Sequence, residues 1–427
     1  MTLDRYRYAL RTMSFLGSLA GEPAGMVELR GEPPRRLLVW DPEAIGAIFR
    51  GTRQMWMASS QTLTPLVGDR SLLYLNGARH MAYRKVVGNA LRGRRLSAYH
   101  DTISGAAHTA VEEMLEAGRV RLPDWTRRLT LGIVGRVLLG TSDRELLEPF
   151  TGWVESVLRS RHRTLVYRYL RVHHALPSPW RTFLRQRAEL GGALLDAARA
   201  GAGNGCGGRP GTLAADLLSG AEPLGALDDE ELQDQIISLL FAGHETTASA
   251  ITWTLYWLER NPAIRHEVRE ELAATAANGS DAEDVPLLEA ACKEALRISP
   301  PAMVAGHRVL GEDLDLFDQR MPKGTRLTPS IYLVHRRPDI YPDPHRFDPG
   351  RFIGIRRPAQ EYLPFGGGIR RCLGADLASV ELRMVTAAVL RRADLCCVNP
   401  RAGVPHLRGP AMGPGADLTM EVRQWRR

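Results

Sequence analysis

The residues best suited to chemistry lie around Cys372, in the segment FGGGIRRCLG that runs from Phe365 to Gly374. Its three consecutive glycines allow the backbone to approach a bound group closely. Cys372 precedes a helix that is predicted to begin near Asp376, so a thiolate there would accept backbone N–H groups and feel the positive end of the helix dipole. Both effects favour the charged form of sulfur that binds metals. The segment therefore predicts a metal-ligating cysteine, although most isolated cysteines are small buried hydrophobes.

This segment matches the pattern F-x-x-G-x-R-x-C-x-G at every fixed position, and the chain thereby resembles the cytochrome P450 family, the haem-thiolate monooxygenases, over roughly residues 30–425. The resemblance implies that Cys372 binds the iron of haem b (iron protoporphyrin IX). It also implies that Phe365 and Gly374 lie against the cofactor. A bound thiolate would push electron density onto the iron and favour cleavage of the O–O bond of dioxygen.

The hexapeptide AGHETT, which begins at Ala242, resembles the family's stretch that crosses the oxygen-binding face of haem. Ala242 and Gly243 would line the haem site, and the small Gly243 would leave space for dioxygen. The Thr246 hydroxyl would hold water, and Glu245 would relay protons. We therefore predict that Glu245 and Thr246 are catalytic. The competing interpretation is a buried glutamate that pairs with an arginine elsewhere.

A third motif, Glu294-Ala-Leu-Arg297, places an acid and an arginine on one helix face at i,i+3. Such a pair is common and carries little information alone. Here it precedes the cysteine segment and is followed by Arg351, and it resembles the family's Glu/Arg/Arg network. The resemblance implies a structural role for these three residues, bracing the fold beside the thiolate.

Haem carries two propionates, and burying them requires hydrogen-bonded cations, for which arginine is the best suited side chain. By resemblance we assign this role to His80 and Arg84, which share a helix face at i,i+4, together with Arg308 and Arg370. His307 is a weaker candidate than Arg308. The competing interpretation of the His80 and Arg84 pair is a solvated helix face.

Several elements must position these residues. A helix of about 32 residues is predicted to begin at Asp228 or Asp229 and to end at Asn261-Pro262, which gives a length of roughly 48 Å. Two further helices are predicted at Leu287–Ile298 and Asp376–Arg392. The sequence Met321–Thr325 (MPKGT) predicts a hairpin turn between short strands. Residues 338–364 are predicted to be ordered coil.

The predicted fold class is mainly α with a small β-rich part, as the cytochrome P450 resemblance implies. Residues 1–427 are expected to form a single domain, with strands at about 25–60 and 305–335 and helices elsewhere. Haem is expected between the long helix and the Cys372 segment. By resemblance, the substrate pocket is expected at five stretches: 56–74, 164–180, 239–247, 302–306 and 410–413.

Composition excludes several classes of protein. The 427 residues are 44% hydrophobic and 24% charged, which excludes a disordered chain. The five cysteines are odd in number and form no C-x-x-C, so we expect a reducing, cytoplasmic location. The net charge of +8 comes with no recognised basic motif, so nucleic acid is not expected as a partner. The apolar run 236–258 carries Glu245, which would cost about 3 kcal/mol at mid-bilayer, so no transmembrane segment is predicted.

These features predict an enzyme, a monooxygenase of the soluble bacterial type that hydroxylates or epoxidises a bulky, mainly apolar small molecule. We favour a tailoring step in the biosynthesis of a natural product such as a polyketide or macrolide-like scaffold. A fatty-acid or terpenoid hydroxylase is the alternative. A haem-thiolate sensor is less favoured because it would not need Glu245 and Thr246, and a peroxide-driven relative would typically lack this acid–alcohol pair.

Electrons are expected to come from NAD(P)H through separate partners, either a ferredoxin with its reductase or a flavodoxin-like donor. A cationic docking surface for an acidic donor is predicted beside the cysteine segment, where clustered charge would steer association. It comprises Arg92, Arg94, Arg95, Arg371, Arg391 and Arg392. The competing interpretation is a set of solvated arginine faces.

Overall fold

The computed structural model describes residues 3–31, 33–51, 55–58, 63–158, 179–203, 211–277, 285–316 and 319–425. The fold of these residues is mainly helical. The α-helices are Leu3–Leu10, Thr12–Leu19, Pro42–Arg50, Thr64–Val67, Gly77–Ala90, Gly93–Ser97, His100–Ala117, Leu122–Leu139, Arg144–Leu158, Pro179–Gly203, Leu213–Leu218, Asp229–Arg260, Pro262–Ala277, Pro286–Ile298, Ile331–Val334 and Ala375–Arg392. Short 3-10 helices lie at Pro349–Phe352, Gly368–Arg370 and Pro400–Gly403.

Short strands form the remaining regular structure. They are β1 Met26–Glu28, β2 Arg36–Val39, β3 Met55–Met57, β4 Arg119–Arg121, β5 Arg308–Leu310, β6 Leu314–Leu316, β7 Gln319–Met321, β8 Arg326–Pro329, β9 Ala393–Cys397, β10 His406–Arg408, β11 Ala411–Gly413 and β12 Thr419–Gln424. The largest sheet has the order β1-β2-β8-β5-β3, in which β2 and β8 are parallel and the other neighbours antiparallel. Its strands lie within the stretches 25–60 and 305–335.

The helix Asp229–Arg260, which we call the central helix, confirms the longest helix prediction. Asp228 caps it, because its carboxylate accepts a hydrogen bond of 2.9 Å from the backbone N–H of Glu231. Pro262 follows its C-terminus and begins the next helix. Side chains on most of its surface are buried from Leu232 onward, so the helix crosses the interior of the larger of two main hydrophobic cores. The smaller of these cores covers the five-stranded sheet.

Of the other local predictions, those of two helices and one coil region are confirmed, and that of a hairpin is wrong. The helices Pro286–Ile298 and Ala375–Arg392 agree with the sequence within one residue at each end. Residues 338–364 are coil apart from one 3-10 turn, as expected. The hairpin at 321–325 is wrong: the turn exists, but β7 pairs with β6 whereas β8 joins the large sheet. The turn residues therefore connect two different sheets.

Two small sheets near the C-terminus were not predicted. In one, β12 lies between β4 and β9, and in the other β10 pairs with β11. Among the described residues, no helix is both long enough and apolar enough to span a membrane.

Candidate active site

A cavity of about 370 Å³ lies between the central helix and the Cys372 segment. The central helix contributes Ala242, Gly243 and Thr246 to its wall, and the cysteine segment contributes Phe365 and Cys372. The site is therefore built from residues more than a hundred positions apart in the chain. Its lining is predominantly apolar, as expected for a small-molecule or cofactor site.

Two glycines of the cysteine segment, Gly367 and Gly368, are required by packing against the helix Pro42–Arg50. A Cβ atom on Gly367 would lie 2.2 Å from the ring of Phe49, and one on Gly368 would lie 2.6 Å from the Phe49 carbonyl oxygen. Gly368 also has a positive φ of 63°, which favours glycine. The backbone N–H of Cys372 donates to the carbonyl of Phe365 at 2.9 Å and closes the loop. Close packing thus fixes the position of the thiol.

The Cys372 thiol is exposed to the cavity, while protein encloses it on its other sides. Burial raises the pKa of this thiol, and the N–H of Gly374 together with the nearby cations Arg371 and Arg84 opposes that increase. The predicted stabilisation by N–H groups and positive charge is therefore present, but desolvation outweighs it. A bound metal ion would supply the missing positive charge, because coordination favours the thiolate.

His80, Arg84 and Arg370 line one edge of the cavity, and Arg308 lies behind that edge, in a small adjoining pocket that it shares with Arg370. Burial, together with the charges of Arg370, Arg84 and Arg308, lowers the pKa of His80 to about 3. Burial also lowers the pKa of Arg308 and of Arg370 to about 10. Arg370 donates to the carbonyl of Leu75 at 2.6 Å, and Arg308 contacts the Met57 sulfur at 3.2 Å.

Within the described part of the chain, Arg84, Arg308 and Arg370 form no ion pair with a carboxylate. Partly buried arginines without counter-ions are costly, so this edge is suited to a ligand that brings its own anionic groups. The two propionates of haem are such groups, and Cys372 lies on the wall of the same cavity. The residues present therefore fit a haem group.

Thr246 and Gly243 lie on the cavity wall that the central helix forms opposite the Cys372 segment, which we call the distal wall. The Thr246 hydroxyl donates to the carbonyl of Ala242 at 2.7 Å, within the helix and at the cavity surface. Gly243 also has a packing role, because a Cβ atom there would lie 2.9 Å from Val134 Cγ2 on the neighbouring helix Leu122–Leu139. The glycine thus permits the close crossing of two helices beside the cavity.

Glu245 does not line the cavity. Its side chain is 3% exposed and its Oε1 lies 3.0 Å from Nε of Arg408 and 3.3 Å from Nε of Arg127. The ion pairs continue to Glu155, which lies 2.5 Å from Arg408. The interpretation as a buried glutamate paired with distant arginines therefore describes the position of this side chain. A catalytic role for Glu245 stays a prediction, and it requires the carboxylate to leave these partners.

Sequence reasoning missed Arg127, Arg408 and a second buried acid, Glu381. Glu381 lies on the helix Ala375–Arg392, lines the cavity, and has an Oε1 atom that finds no hydrogen-bond partner among the described residues. Desolvation raises its pKa to about 8. His244, which precedes Glu245 in the chain, is also buried, and desolvation lowers its pKa to about 4. An acid among apolar neighbours in a predicted helix was the available signal for Glu381, whereas the two arginines gave none.

The Glu294, Arg297 and Arg351 side chains come together as the motif implies. Arg297 donates to Glu294 through two bonds of 2.6 and 2.8 Å, and both side chains are fully buried. Arg351 Nε lies 3.4 Å from the same carboxylate. Arg297 also donates to the carbonyl of His335 at 2.7 Å. The network therefore braces the coil segments around His335 and Arg351 against the helix Pro286–Ile298.

His335 connects this network to the cysteine segment. Its Nε2 accepts a 3.0 Å hydrogen bond from the backbone N–H of Leu363, and its Nδ1 lies 3.2 Å from the carbonyl of Arg297. An accepting Nε2 requires the proton on Nδ1, so His335 is neutral and bridges both segments. Leu363 lies two residues before Phe365, so this hydrogen bond holds the chain just ahead of the cysteine segment.

The predicted pocket stretches are partly brought together. Lining residues from three of them are Met57, Leu72, Leu73, Leu239, Ala242, Gly243, Thr246, Thr247, Ala302, Val304, Ala305 and Gly306. The stretch 410–413 does not line this cavity, because Met412 is fully buried in the smaller core. Residues 164–178 lie outside the described residues.

Comparisons with known proteins agree on one family. A family model described as Cytochrome P450 matches residues 15–409. Cytochrome P450 135B1 of Mycobacterium tuberculosis is 32% identical over 405 residues, which cover 90% of this chain and 82% of that protein. Cytochrome P450 139 of Mycobacterium bovis is 30% identical over 391 residues, which cover 86% and 87%.

Solved structures show the same fold. A retinoic acid-bound cyanobacterial CYP120A1 matches with a TM-score of 0.85 and 24% identity, covering 98% of this chain and 96% of that one. A cytochrome P450DA heme domain matches with a TM-score of 0.81 and 21% identity, covering 98% and 94%. The predicted fold class is thereby confirmed.

Proposed function

The chain belongs to the cytochrome P450 family of haem monooxygenases, and on that premise we propose that it hydroxylates or epoxidises a bulky, mainly apolar small molecule in natural-product biosynthesis. One observation carries the assignment to this cavity: the Cys372 thiol opens into it, and Arg84 and Arg370, which have no carboxylate partner among the described residues, line its edge, with Arg308 just behind them. Cys372 would bind the iron of haem b. Arg84, Arg308 and Arg370 would bind the propionates, with His80 beside them.

The test is spectroscopic. The reduced carbon monoxide complex should show the red-shifted Soret band of thiolate ligation, and Cys372→Ser should lose it. Cys292→Ser is the matched control, because Cys292 is buried in the larger core away from the cavity. An unchanged band in Cys372→Ser would contradict the assignment.

When bound, haem with its thiolate supplies the redox chemistry that activates dioxygen and transfers one oxygen atom to the substrate. The chain's own residues position and protonate. Ala242 and Gly243 are small and leave space at the distal wall. The Thr246 hydroxyl presents an oxygen at the cavity surface that can hold a water molecule. Glu245, the preceding residue, is paired with Arg127 and Arg408 and would relay protons only once its carboxylate leaves them.

The substrate class follows from the lining. The distal wall includes Leu72, Leu239 and Val304, which favour an apolar ligand. In the described part of the chain, the charged residues that line the cavity lie either at the edge assigned to the propionates or on the helix and loop around Cys372. A fatty-acid substrate, the alternative, would need a cation for its carboxylate on the distal side. Substrate-induced spectral shifts with macrolide, terpenoid and fatty-acid panels distinguish these classes.

We propose that electrons reach the site from NAD(P)H through a ferredoxin and its reductase, or a flavodoxin-like donor. The docking surface we favour contains Arg92, Arg94 and Arg371. Arg92 and Arg371 lie 3.6 and 3.5 Å from Asp376, beside the cysteine segment, and Arg94 is exposed without an acidic partner among the described residues.

Two arginines of the predicted docking surface are engaged elsewhere. Arg95 pairs with Asp216 at 2.5 Å, and Arg392 pairs with Glu112 at 3.0 Å. These pairs reduce their contribution to a partner surface.

We further propose that residues 1–427 form one domain in the cytoplasm. Leu239 of the larger core cluster and Ile331 of the smaller one both line the cavity, which supports a single unit. The four described cysteines, Cys292, Cys372, Cys396 and Cys397, are free, as a reducing compartment would keep them.

A further inference from the structure

One wall of the cavity is a segment with little regular structure of its own. Residues 66–73 contain the end of the short helix Thr64–Val67 and the turns that follow it, and they join no sheet. Leu72 and Leu73 of this segment line the cavity. The position of this wall therefore depends on what bonds its backbone.

The central helix bonds that backbone through consecutive side chains. Asp234 Oδ2 accepts from the N–H of Arg70 at 3.0 Å, and Gln235 Nε2 donates to the carbonyl of the same residue at 2.6 Å. Gln235 Oε1 accepts from the N–H of Leu72 at 2.9 Å. Both peptide groups flanking Arg70 are thus held from one turn of the central helix.

Two further side chains complete the arrangement. Ser238 Oγ lies 2.7 Å from Ser71 Oγ and 3.2 Å from the carbonyl of Val67. Arg187, on the helix Pro179–Gly203, donates to the carbonyl of Leu66 at 3.2 Å and pairs with Asp234. We call these four side chains, Arg187, Asp234, Gln235 and Ser238, the latch.

Burial and shape show that the latch is closely fitted. Gln235 is 0% exposed and Asp234 is 3% exposed. Gly68 has a φ of 93°, and a Cβ atom there would lie 2.0 Å from the Asp234 carboxyl carbon. A buried polar network whose members are bonded is rigid, and losing one member leaves the others unsatisfied.

We propose that Asp234 and Gln235 are positioning residues that set the size of ligand the site accepts, by fixing Leu72 and Leu73 against the cavity. They act through the segment and do not touch the substrate. This inference rests on the proposed function for the identity of the cavity. It assigns size selectivity to polar side chains that lie outside the cavity wall.

The test compares Gln235→Leu with Gln233→Leu in the haem-loaded protein. Gln233 lies on the same turn, faces Gly191, and makes no bond to the segment. The probes are imidazole, which is small enough to bind the iron without displacing the wall, and 1-tritylimidazole, which is bulky and binds only if the wall formed by Leu72 and Leu73 moves outward. Gln235→Leu should lower the ratio of the tritylimidazole Kd to the imidazole Kd about tenfold, since an unlatched wall yields more easily. Gln233→Leu should leave the ratio at the wild-type value.

Amide hydrogen exchange provides a readout that does not need haem. Exchange at residues 66–73 should become faster in Gln235→Leu and stay as in wild type in Gln233→Leu. If the wild-type protein gives no imidazole shift at all, the proposed function fails, while the exchange comparison still reads the latch. An unchanged Kd ratio in a haem-loaded Gln235→Leu protein overturns the inference.

A second pair of variants covers the case in which Gln235→Leu does not fold. Gly68→Ala forces Asp234 aside, whereas Gly225→Ala changes a glycine of similar φ, 69°, whose Cβ would meet nothing within 4 Å. Gly68→Ala should lower the Kd ratio as Gln235→Leu does. If Gln235→Leu and Gly68→Ala both fail to retain haem while Gln233→Leu and Gly225→Ala retain it, the segment serves folding and the inference is overturned.

Discussion

Glu245 Oε1 lies 3.0 Å from Nε of Arg408, in a buried ion pair on the side of the central helix that faces away from the cavity. The adjacent Thr246 lines the cavity. The acid and the alcohol of the motif therefore face different surroundings. The acid belongs to an ion-pair network that also includes Arg127, and the alcohol belongs to the distal wall.

This ion pair predicts a measurable coupling. Arg408→Gln should lower the free energy of unfolding by about 1–3 kcal/mol, because it leaves Glu245 with Arg127 as its remaining partner. The double variant Glu245→Gln/Arg408→Gln should lose less than the sum of the two single variants. Urea denaturation of the four proteins gives the coupling energy. Strictly additive losses would show that the contact contributes nothing.

Thr246→Ala should keep haem and ligand binding but divert electrons to hydrogen peroxide, because the distal hydroxyl that holds water is gone. We expect the yield of product per NAD(P)H to fall by about tenfold. Thr254→Ala is the control, since Thr254 makes the same bond to a carbonyl four residues earlier, at 2.9 Å, but lies away from the cavity. Equal coupling in Thr246→Ala and wild type would exclude a role in proton delivery.

Arg308→Leu should have opposite effects on the two forms of the protein. The haem-free protein should be more stable by about 1 kcal/mol, because a buried charge without a counter-ion is removed. Haem transfer from the variant to apomyoglobin should be about tenfold faster, because one propionate contact is lost.

The control for that experiment is Arg320→Leu, because Arg320 is exposed and pairs with Asp315. Loss of haem at the same rate from Arg308→Leu and Arg320→Leu would contradict the placement of the propionates.

Glu381 predicts a pH dependence of stability. Desolvation raises its pKa to about 8 in the folded protein, whereas the unfolded chain loses this proton near pH 4.5. Between these values the folded state holds a proton that the unfolded state has released. The contribution of Glu381 is therefore fully present below about pH 4.5 and is lost as the pH rises to about 8, by up to roughly 1.4 kcal/mol per pH unit.

Glu381→Gln should flatten this slope and be more stable than wild type at pH 8. Denaturation of the haem-free proteins at pH 5, 6.5 and 8 provides the measurement. The control is Glu112→Gln, whose side chain is exposed. Parallel curves for Glu381→Gln and wild type would mean that the acid ionises normally in the folded state.

Arg94→Glu should slow reduction by a ferredoxin about tenfold at low ionic strength, because it reverses an exposed charge on the docking surface we favour. The effect should fade at physiological salt, where the Debye length is about 8 Å. Peroxide-supported turnover should not change. Arg320→Glu, on β7, is the charge-matched control, and a docking site elsewhere would make both variants behave alike.

Local signals in the sequence were sufficient for the elements that carry the site. Asp228 caps the central helix and Pro262 follows it, so both ends could be read from neighbouring residues. The cysteine segment carries its own pattern. The position of the Glu245 side chain could not be predicted, because its partner Arg127 lies 118 residues away and has no motif of its own.

The strands that were missed share the same cause. β12 pairs with β4, and the register Glu421↔Arg119 joins residues about three hundred positions apart. Strands of three to six residues carry little alternation that could distinguish them from coil. The turn at 322–325 was visible from Pro322 and Gly324, but its strands find partners that only the complete fold supplies.

The contact between Phe49 and the glycines at 367 and 368 bears on the exchange of parts between relatives. The ring and carbonyl of Phe49 occupy the space that side chains at these positions would need. A chimaera that imports a foreign cysteine loop but keeps the native helix Pro42–Arg50 would confront that loop with an unmatched surface. The helix and the cysteine loop, although separated by more than three hundred residues, are matched to each other and must be exchanged together.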